Sequence, residues 1–376
     1  MWARAIVAAL ATAVAGGWIG QASAGGDPGS RDRRIQHLAF AGPALAGGAV
    51  VWGEEYRDGS LAVIRRRPGR GARVVHRIAA PSGRDRERSF LGLPGALSAS
   101  PSWIAYGLDD AKVTVDGDRV SSEAHSLAFG ARDGGVFHDL LPGCDDAAYI
   151  ATASEGDAVA IGQTHGSCGD EEATRVWLID GDAAPRLIYQ APGPFVAMRQ
   201  VQLAGRWIAW SEGGLGAGDR QITVADRTSG SIAARLTPRD FAGGSSFSAF
   251  DIDAAGNVVA LGGPQPRCYY VCVTWRNIGG GPAHTISRRA LDGRVAIANG
   301  RIAYVTIKGL HPRRLIVADL AGKPVRRLGR FSRTRRPIGD LALSGNRIAW
   351  GVLSTDGDLV PGAPGTIRTA RLPGHG

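Results

Sequence analysis

The chain has 376 residues, with 44 Lys and Arg against 34 Asp and Glu, and a formal net charge of +10. Its 55 glycines and 20 prolines are spread along the chain, which argues against a disordered tail and favours many short strands joined by turns. Only three basic residues are lysines. A GC-rich genome accounts for such arginine dominance, so we do not expect a nucleic-acid partner.

The first 24 residues have the pattern of a secretory signal peptide. Arg4 supplies positive charge, an apolar stretch runs from Ala5 to Ile19, and small residues follow at Ala22–Ala24. The apolar stretch is shorter than the ~20 residues of a membrane-spanning helix. We therefore expect cleavage after Ala24, no membrane span after it, and a secreted, extracellular or periplasmic protein. Residues 25–34 are expected to be a short flexible segment before a single domain at 35–373.

One short phrase, such as LAGRWIAWSEGG, recurs along the chain and ends in an apolar pair. The seven pairs are Val51-Trp52, Ala105-Tyr106, Ala160-Ile161, Ala209-Trp210, Ala260-Leu261, Ala303-Tyr304 and Ala349-Trp350. Successive copies are 43 to 55 residues apart. A period near 50 indicates a repeat architecture.

Each copy predicts four strands. The copy at Leu203 begins with an alternating strand and a Gly turn, and continues with RWIAW, whose consecutive apolar residues indicate a strand buried on both faces. Two more strands follow, QITVADR and SIAARLT. Four antiparallel strands with the second covered on both faces describe a β-propeller blade. We predict an all-β fold, a single β-propeller of seven four-stranded antiparallel blades, with six or eight as alternatives. A strand at Ile35–Ala41 is expected to complete the last blade and close the ring.

The segment Leu203–Thr237 resembles the repeat of TolB-like propellers, a WD-type β-propeller superfamily. Those repeats typically read SPDG, IAF, LYVVD, TG and LT, and this segment reads LAGR, IAW, ITVAD, SG and LT. The proline-aspartate of the family turn is missing, so the resemblance is to the broad superfamily. It implies a binding or scaffolding platform and carries no catalytic residue across.

Four cysteines in an exported chain predict two disulfides, with a structural zinc site as the alternative although no CxxC pair is present. Cys144 and Cys168 lie in connections on the same predicted face and are expected to pair. Cys268 and Cys272 are four apart, and they pair if the chain bends between them.

Binding sites of propellers usually occupy the face that carries the loops between second and third strands and between blades, here called the loop-rich face. The predicted loops between second and third strands include Gly107–Ser126 and Gly162–Thr174. Its candidate acidic residues are Glu54, Glu55, Asp109, Asp110, Asp170, Glu171 and Glu172. Such charges are either merely solvated or, where they converge, hold a cation or a sugar. Asp356 and Asp358 are candidate calcium ligands, with a hairpin turn as the alternative. No cofactor is predicted, although the sequence leaves bound calcium as an alternative.

The segment RRLGRFSRTRRP holds six candidate binding arginines: Arg326, Arg327, Arg330, Arg333, Arg335 and Arg336. Together with Arg65–Arg73 they fall in blades 6, 7 and 1, which are neighbours in a closed ring. Solvated charge is the alternative to docking of an anionic polymer through paired guanidinium groups.

Two functions follow from these patterns. The first is an exported, monomeric, non-catalytic propeller that binds a protein or an anionic cell-envelope polymer at its loop-rich face. The second is a propeller-type hydrolase or lyase with a calcium-supported acidic site at the channel mouth. No catalytic motif is present, which favours the first, and no catalytic residue is predicted.

Overall fold

A computed structural model describes residues 41–374 apart from 57–58, 83–85, 91–95, 117–118, 133, 146, 169–170, 194–195, 215–218, 242–244, 263–270, 310, 333–334 and 355–364. The described residues are almost entirely antiparallel strand, with one 3-10 helix at Pro238–Asp240. The all-β prediction is confirmed. No helix in these ranges is long and apolar enough to cross a bilayer. The predicted signal peptide, the segment 25–34 and residues 35–40 of the predicted closing strand lie outside the described residues.

The strands are numbered in chain order. Strands β1 to β14 are Ala44–Ala46, Ala49–Glu55, Leu61–Arg66, Ala72–Ile78, Arg86–Phe90, Leu97–Ala99, Trp103–Asp116, Arg119–Arg132, His138–Asp139, Cys144–Asp145, Tyr149–Glu155, Ala158–Cys168, Glu171–Asp180 and Arg186–Gln190. Strands β15 to β29 are Val196–Ala197, Val201–Ala204, Trp207–Gly214, Asp219–Asp226, Ile232–Leu236, Phe247–Ile252, Asn257–Gly262, Val271–Asn277, Gly280–Ala298, Arg301–Lys308, His311–Asp319, Pro324–Arg330, Arg335–Ser344, Arg347–Ser354 and Gly365–Arg371.

The pairings group these strands into the predicted repeats. Repeats 1 to 4 are β1–β4, β6–β9, β11–β14 and β16–β19. Repeat 5 is β20–β22 with the first part of β23, repeat 6 is the last part of β23 with β24–β26, and repeat 7 is β27–β29. The short strands β5, β10 and β15 pair with the far ends of the second strands β7, β12 and β17.

The second strand of each repeat carries the recurring phrase and is paired on both edges. All residues of the seven apolar pairs are buried. Alternate residues enter different clusters, because Ala209 packs with repeat 5 and Trp210 with repeat 3. In repeat 5 the faces are exchanged, since Ala260 packs with repeat 4 and Leu261 with repeat 6. Because side chains alternate along a strand, shifting a strand by one residue moves each side chain to the opposite face. The prediction of a strand buried on both faces is confirmed.

Hydrophobic clusters fill the spaces between consecutive repeats, and one of them joins repeat 7 to repeat 1. In that cluster Trp52 packs with Ala349. Nearby, the Asp340 backbone N–H donates to Gly42 O at 2.8 Å. The first and last repeats are therefore in contact. The number of blades stays a prediction, because repeats 4 to 6 share one 12-stranded sheet and residues 1–40 lie outside the described residues.

Glycine serves two purposes in this packing. At Gly53 and Gly162 an added Cβ would lie 2.7 Å from the Phe90 ring and 2.8 Å from the Met198 sulfur, so the close approach between repeats excludes a side chain. Between first and second strands, Gly205 and Gly345 have φ of 58° and 55°. These are the left-handed turns that the sequence predicts at these two positions.

Two segments that the sequence predicts to be loops consist mainly of paired strands instead. Residues 107–116 continue β7 and residues 119–126 belong to β8, and the two strands stay in register from Trp103↔Arg132 to Asp116↔Arg119. Residues 162–168 belong to β12 and residues 171–174 to β13, with a bulge between Gln163 and Gly166. Polar side chains obscured these strands, because strands that extend beyond the core have no apolar face.

Replacing an alanine of the recurring phrase by a larger residue will destabilise the protein. Ala209 is completely buried, so Ala209→Leu forces extra methyl groups into a packed interface and lowers the free energy of unfolding by about 1–3 kcal/mol. Urea unfolding measures this change. The matched control is Ala233→Leu on the exposed side of β19, which adds the same atoms. Equal midpoints for both variants would contradict double coverage of the second strand.

Candidate functional site

The first strands of all seven repeats line one cavity of about 370 Å³. Each repeat contributes from the strand next to its buried phrase, so the repeats surround a common axis. The cavity wall is mainly polar, and its hydrogen-bonding side chains include Ser98, Thr152, Glu155, Gln200, Asp251, Arg294 and Asp340. We call this cavity the axial channel.

Polar side chains in the channel wall link neighbouring repeats. Glu155 accepts from Gly205 N at 2.5 Å, and Gln200 accepts from Phe250 N at 3.0 Å. Asp251 accepts from Ile297 N at 2.7 Å. Each bond runs from one repeat to the backbone of the next. These side chains therefore hold the repeats in register and also present their remaining polar surface to the channel.

Arg294, Asp251 and Asp340 bring charge into the channel wall. Arg294 Nε donates to Gly339 O at 2.8 Å. Burial lowers the pKa of the Arg294 guanidinium, while Asp340 and Asp292 act in the opposite direction. Burial also raises the pKa of Asp251 to about 7, against the hydrogen bonds from Ile297 N and Ile252 N. The channel offers one cation beside carboxylates, which suits a small polar molecule better than an apolar one.

No pattern in the sequence indicates these channel residues as a group. Gln200, Asp251, Arg294 and Asp340 come from different repeats, one at a time, and no local motif connects them. The signal that was present is a polar residue inside an otherwise apolar first strand, as Asp251 is in FSAFDI. Only the closure of the ring brings such residues together.

The predicted acidic residues that can be described are already engaged or partly buried. Glu54 accepts from Trp52 Nε1 at 2.8 Å, and Asp110 accepts from Arg88 Nε at 2.8 Å. Asp109 accepts from Ser126 Oγ at 2.5 Å. Burial raises the pKa of Asp109 to about 6, although Ser126 and His125 oppose the shift.

Three of the remaining acidic candidates can be placed in the structure. Glu55 ends β2 and is half-buried, and Glu172 is exposed on β13 with its Oε1 3.5 Å from His165 Nδ1. Glu171 begins β13. Asp170, Asp356 and Asp358 lie outside the described residues. Within the described part of the chain, no three His, Cys, Asp or Glu side chains are placed to hold a metal ion. Calcium binding at 356 and 358 stays a prediction.

The structure divides the arginine segment between two strands. Arg326, Arg327 and Arg330 are exposed on β26, the outer strand of repeat 6. Arg335 and Arg336 begin β27, where Arg336 is half-buried. Arg333 lies outside the described residues. The β26 arginines are therefore on the outer edge of the ring, away from the channel.

Exposed arginines continue on the neighbouring repeats. Arg288 and Arg289 belong to β23 on repeat 5, and Arg368 and Arg371 belong to β29 on repeat 7. Arg326 Nη1 donates to Arg371 O, which ties the two edges together. We call these seven residues, Arg288, Arg289, Arg326, Arg327, Arg330, Arg368 and Arg371, the arginine rim.

Outside the rim, many arginines of repeats 2 to 5 pair with carboxylates. Their ion pairs include Arg88–Asp110 at 2.8 Å, Arg132–Asp157 at 2.6 Å, Arg206–Asp226 at 2.6 Å and Arg276–Asp240 at 2.9 Å. For Arg326, Arg327 and Arg330 the described residues provide no such carboxylate. Among the described residues, the positive charge of β26 is therefore not compensated by a carboxylate.

Cys144 and Cys168 form a disulfide with a Cα–Cα distance of 4.1 Å, as predicted. It joins β10 to the far end of β12. Cys272 is also disulfide-bonded. Its predicted partner Cys268 lies outside the described residues, so the 268–272 pairing stays a prediction.

Comparison with known proteins identifies the fold. No family model matches the chain. A glycerol kinase from Clavibacter michiganensis subsp. michiganensis is 25% identical over 162 residues, which cover 42% of this chain and 31% of the kinase. A prolyl endopeptidase structure has a TM-score of 0.56 at 16% identity, covering 98% of this chain and 49% of that chain. The β-propeller domain of the Trilobed protease from Pyrococcus furiosus has a TM-score of 0.55 at 12% identity, covering 90% and 98%.

These likenesses agree with repeats arranged around one channel. The chain is a β-propeller. TolB from Acinetobacter baumannii has a TM-score of 0.36 at 13% identity, covering 74% of this chain and 79% of that chain. The chain spans about a third of the kinase and half of the endopeptidase. These likenesses establish the fold of this propeller and carry no activity to it.

Removing the Cys144–Cys168 disulfide will destabilise the propeller. Its two cysteines are 24 residues apart, and closing a loop of that size contributes about 3 kcal/mol by restricting the unfolded chain. Urea unfolding of the Cys144→Ser/Cys168→Ser variant measures the loss. The disulfide at Cys272 is present in both the wild type and the variant, so it does not contribute to the difference between their unfolding free energies. An unchanged midpoint would contradict the bond.

Asp251 makes stability depend on pH. Its folded-state pKa of about 7 lies above the unfolded value of 3.8, so its stabilising contribution is complete below about pH 4 and is lost as pH rises through 7. Part of the side chain faces the channel, so we expect a loss on the order of 2 kcal/mol. The test compares unfolding free energies of the wild type and Asp251→Asn from about pH 4 to 8. The variant should show the flatter curve.

The control for this experiment is Asp180→Asn, whose carboxylate is 49% exposed. It should follow the wild-type curve. If the wild type and Asp251→Asn give parallel curves, the Asp251 carboxyl is ionised throughout this range and the raised pKa is wrong.

Proposed function

We propose that this β-propeller is a non-catalytic binding module that docks an anionic cell-envelope polymer on its arginine rim. The site differs from the expected loop-rich face, because the arginines lie on outer strands. A disulfide between Cys144 and Cys168 is compatible with an exported protein, since such bonds persist in oxidising compartments. Export through the segment 1–24 belongs to the proposal.

The observation that carries the proposal is the uncompensated charge of β26. Arg326, Arg327 and Arg330 project from seven residues of one strand and are exposed. The register places Arg330 opposite Arg314 on β25, which adds a further positive charge. Like charges placed opposite one another destabilise a sheet, so their accumulation favours a bound anion that relieves the repulsion.

Outer-strand charge has a structural use as well, since it discourages edge-to-edge association of sheets. That use requires charges of either sign and only a few of them. The rim has arginines on three consecutive repeats and a guanidinium that ties two of them together. A continuous track of one sign matches the repeating charge of a polymer.

Binding of fluorescein-labelled poly-L-glutamate to the full chain tests the proposal by fluorescence anisotropy. We expect binding that weakens between about 50 and about 200 mM salt, because counterions are released on association. Arg326→Gln/Arg327→Gln/Arg330→Gln should bind about tenfold more weakly, because three charge-assisted contacts are lost. Neutral labelled dextran should not bind.

The matched control is Arg206→Gln/Arg227→Gln/Arg276→Gln, which removes the same charge from arginines that face carboxylates. It should retain wild-type affinity. Equal losses in the two triple variants would mean that net charge alone attracts the polymer. Absence of binding at low salt would overturn the polymer proposal and leave a protein as the partner to seek.

A further inference from the structure

A second cavity, of about 210 Å³, opens between repeats 1 and 2. It is distinct from the axial channel and from the arginine rim. Its walls come from the β3–β4 hairpin on one side and from the turn before β7 and the end of β8 on the other. We call it the interrepeat cleft.

Two arginines face this cleft, and none of the described residues that line it carries a carboxylate. Arg65 and Arg73 are directly opposite each other in the β3–β4 register. Arg65 Nε is buried and has no hydrogen-bond partner. Burial, followed by Arg67 and Arg73, lowers the pKa of the Arg65 guanidinium. A buried donor without a partner is costly, so this group is suited to an anion that enters from solvent.

Most of the other side chains that line the cleft are apolar. Val74 and Val75 line it on one side, and Phe137 lines it on the other. The Phe137 ring is stacked on His76 with centroids 4.3 Å apart, which fixes its position between the repeats. Trp103 also lines the cleft, and its Nε1 already donates to Asp157 O at 3.3 Å. Ser100 and Ser102 also line the cleft, and among its described lining residues only the two arginines are charged.

We propose that the interrepeat cleft binds a carboxylate carried on an apolar group. Arg65 and Arg73 pair with the carboxylate, and the apolar group lies against Val74, Val75 and Phe137. A guanidinium fork matches the two oxygens of a carboxylate. A bare inorganic anion uses only the charged half of the cleft. Both the C-terminus of a peptide that ends in an apolar residue and a free aryl or alkyl carboxylate have this chemistry.

Isothermal titration calorimetry of the full chain with N-acetylphenylalanine tests the proposal by measuring the binding affinity. N-acetylphenylalanine amide has the same apolar group without the charge and should bind at least about tenfold more weakly. Arg65→Gln and Arg73→Gln should each weaken binding of the acid by about tenfold or more. Arg73 is exposed, so its variant keeps the test valid if Arg65→Gln alters folding, which the unfolding midpoint reports.

The matched control is Arg70→Gln, at the exposed turn of the same hairpin, which should leave affinity within about twofold of wild type because it lies outside the cleft. Ser102→Trp should abolish binding by filling the cleft while both arginines remain. The proposal is wrong if acid and amide bind alike, if Arg70→Gln loses as much as Arg73→Gln, or if no ligand binds. Inorganic phosphate that binds as tightly as the acid would also overturn it.

Two further ligands distinguish the sources of the carboxylate. Tighter binding of N-acetyl-Ala-Ala-Phe with a free C-terminus than of phenylacetate identifies a peptide end. Equal affinities identify a free carboxylate. Neither result depends on the polymer site, because the triple variant of β26 leaves the cleft unchanged.

Discussion

Coverage of the second strand on both faces is the constraint on which this β-propeller depends. A strand sandwiched between two sheets leaves room for a small residue on one side and a large one on the other, as Ala209 and Trp210 illustrate. Each repeat must therefore have a neighbour on either side, and only a closed ring satisfies the first and last repeats. The packing of Trp52 with Ala349 meets that condition.

The channel is a consequence of the same constraint. When the sheets stand side by side around an axis, their first strands converge, and the polar atoms there lose much of their contact with solvent. Glu155, Gln200 and Asp251 resolve this by accepting backbone N–H groups of the next repeat. Groups that would otherwise be unpaired thus become links between repeats.

The fold was readable from the sequence because its determinants are local and recur. The buried phrase, the glycine turn at Gly345 and the pair Cys144–Cys168 each depend on a short segment or on one shared face. The candidate sites were less readable, because each depends on several repeats. Arg294 and Asp251 come together only across repeats. The arginine segment was interpreted as a fourth strand and a following loop, whereas Arg335 and Arg336 already begin the next strand, β27. Strands β7 and β8 were missed beyond the core, where apolar alternation ends.

Strand β23 runs without interruption from Gly280 to Ala298, and it is both the outer strand of repeat 5 and the inner strand of repeat 6. At the other junctions, the outer strand of one repeat and the first strand of the next are separate strands. A single continuous strand therefore crosses the junction of repeats 5 and 6, while the junction of repeats 7 and 1 depends on contacts between segments distant in sequence. Circularly permuted forms would tolerate new chain ends at the other junctions far better than within β23. Mechanical opening of the ring would begin where repeats 7 and 1 meet.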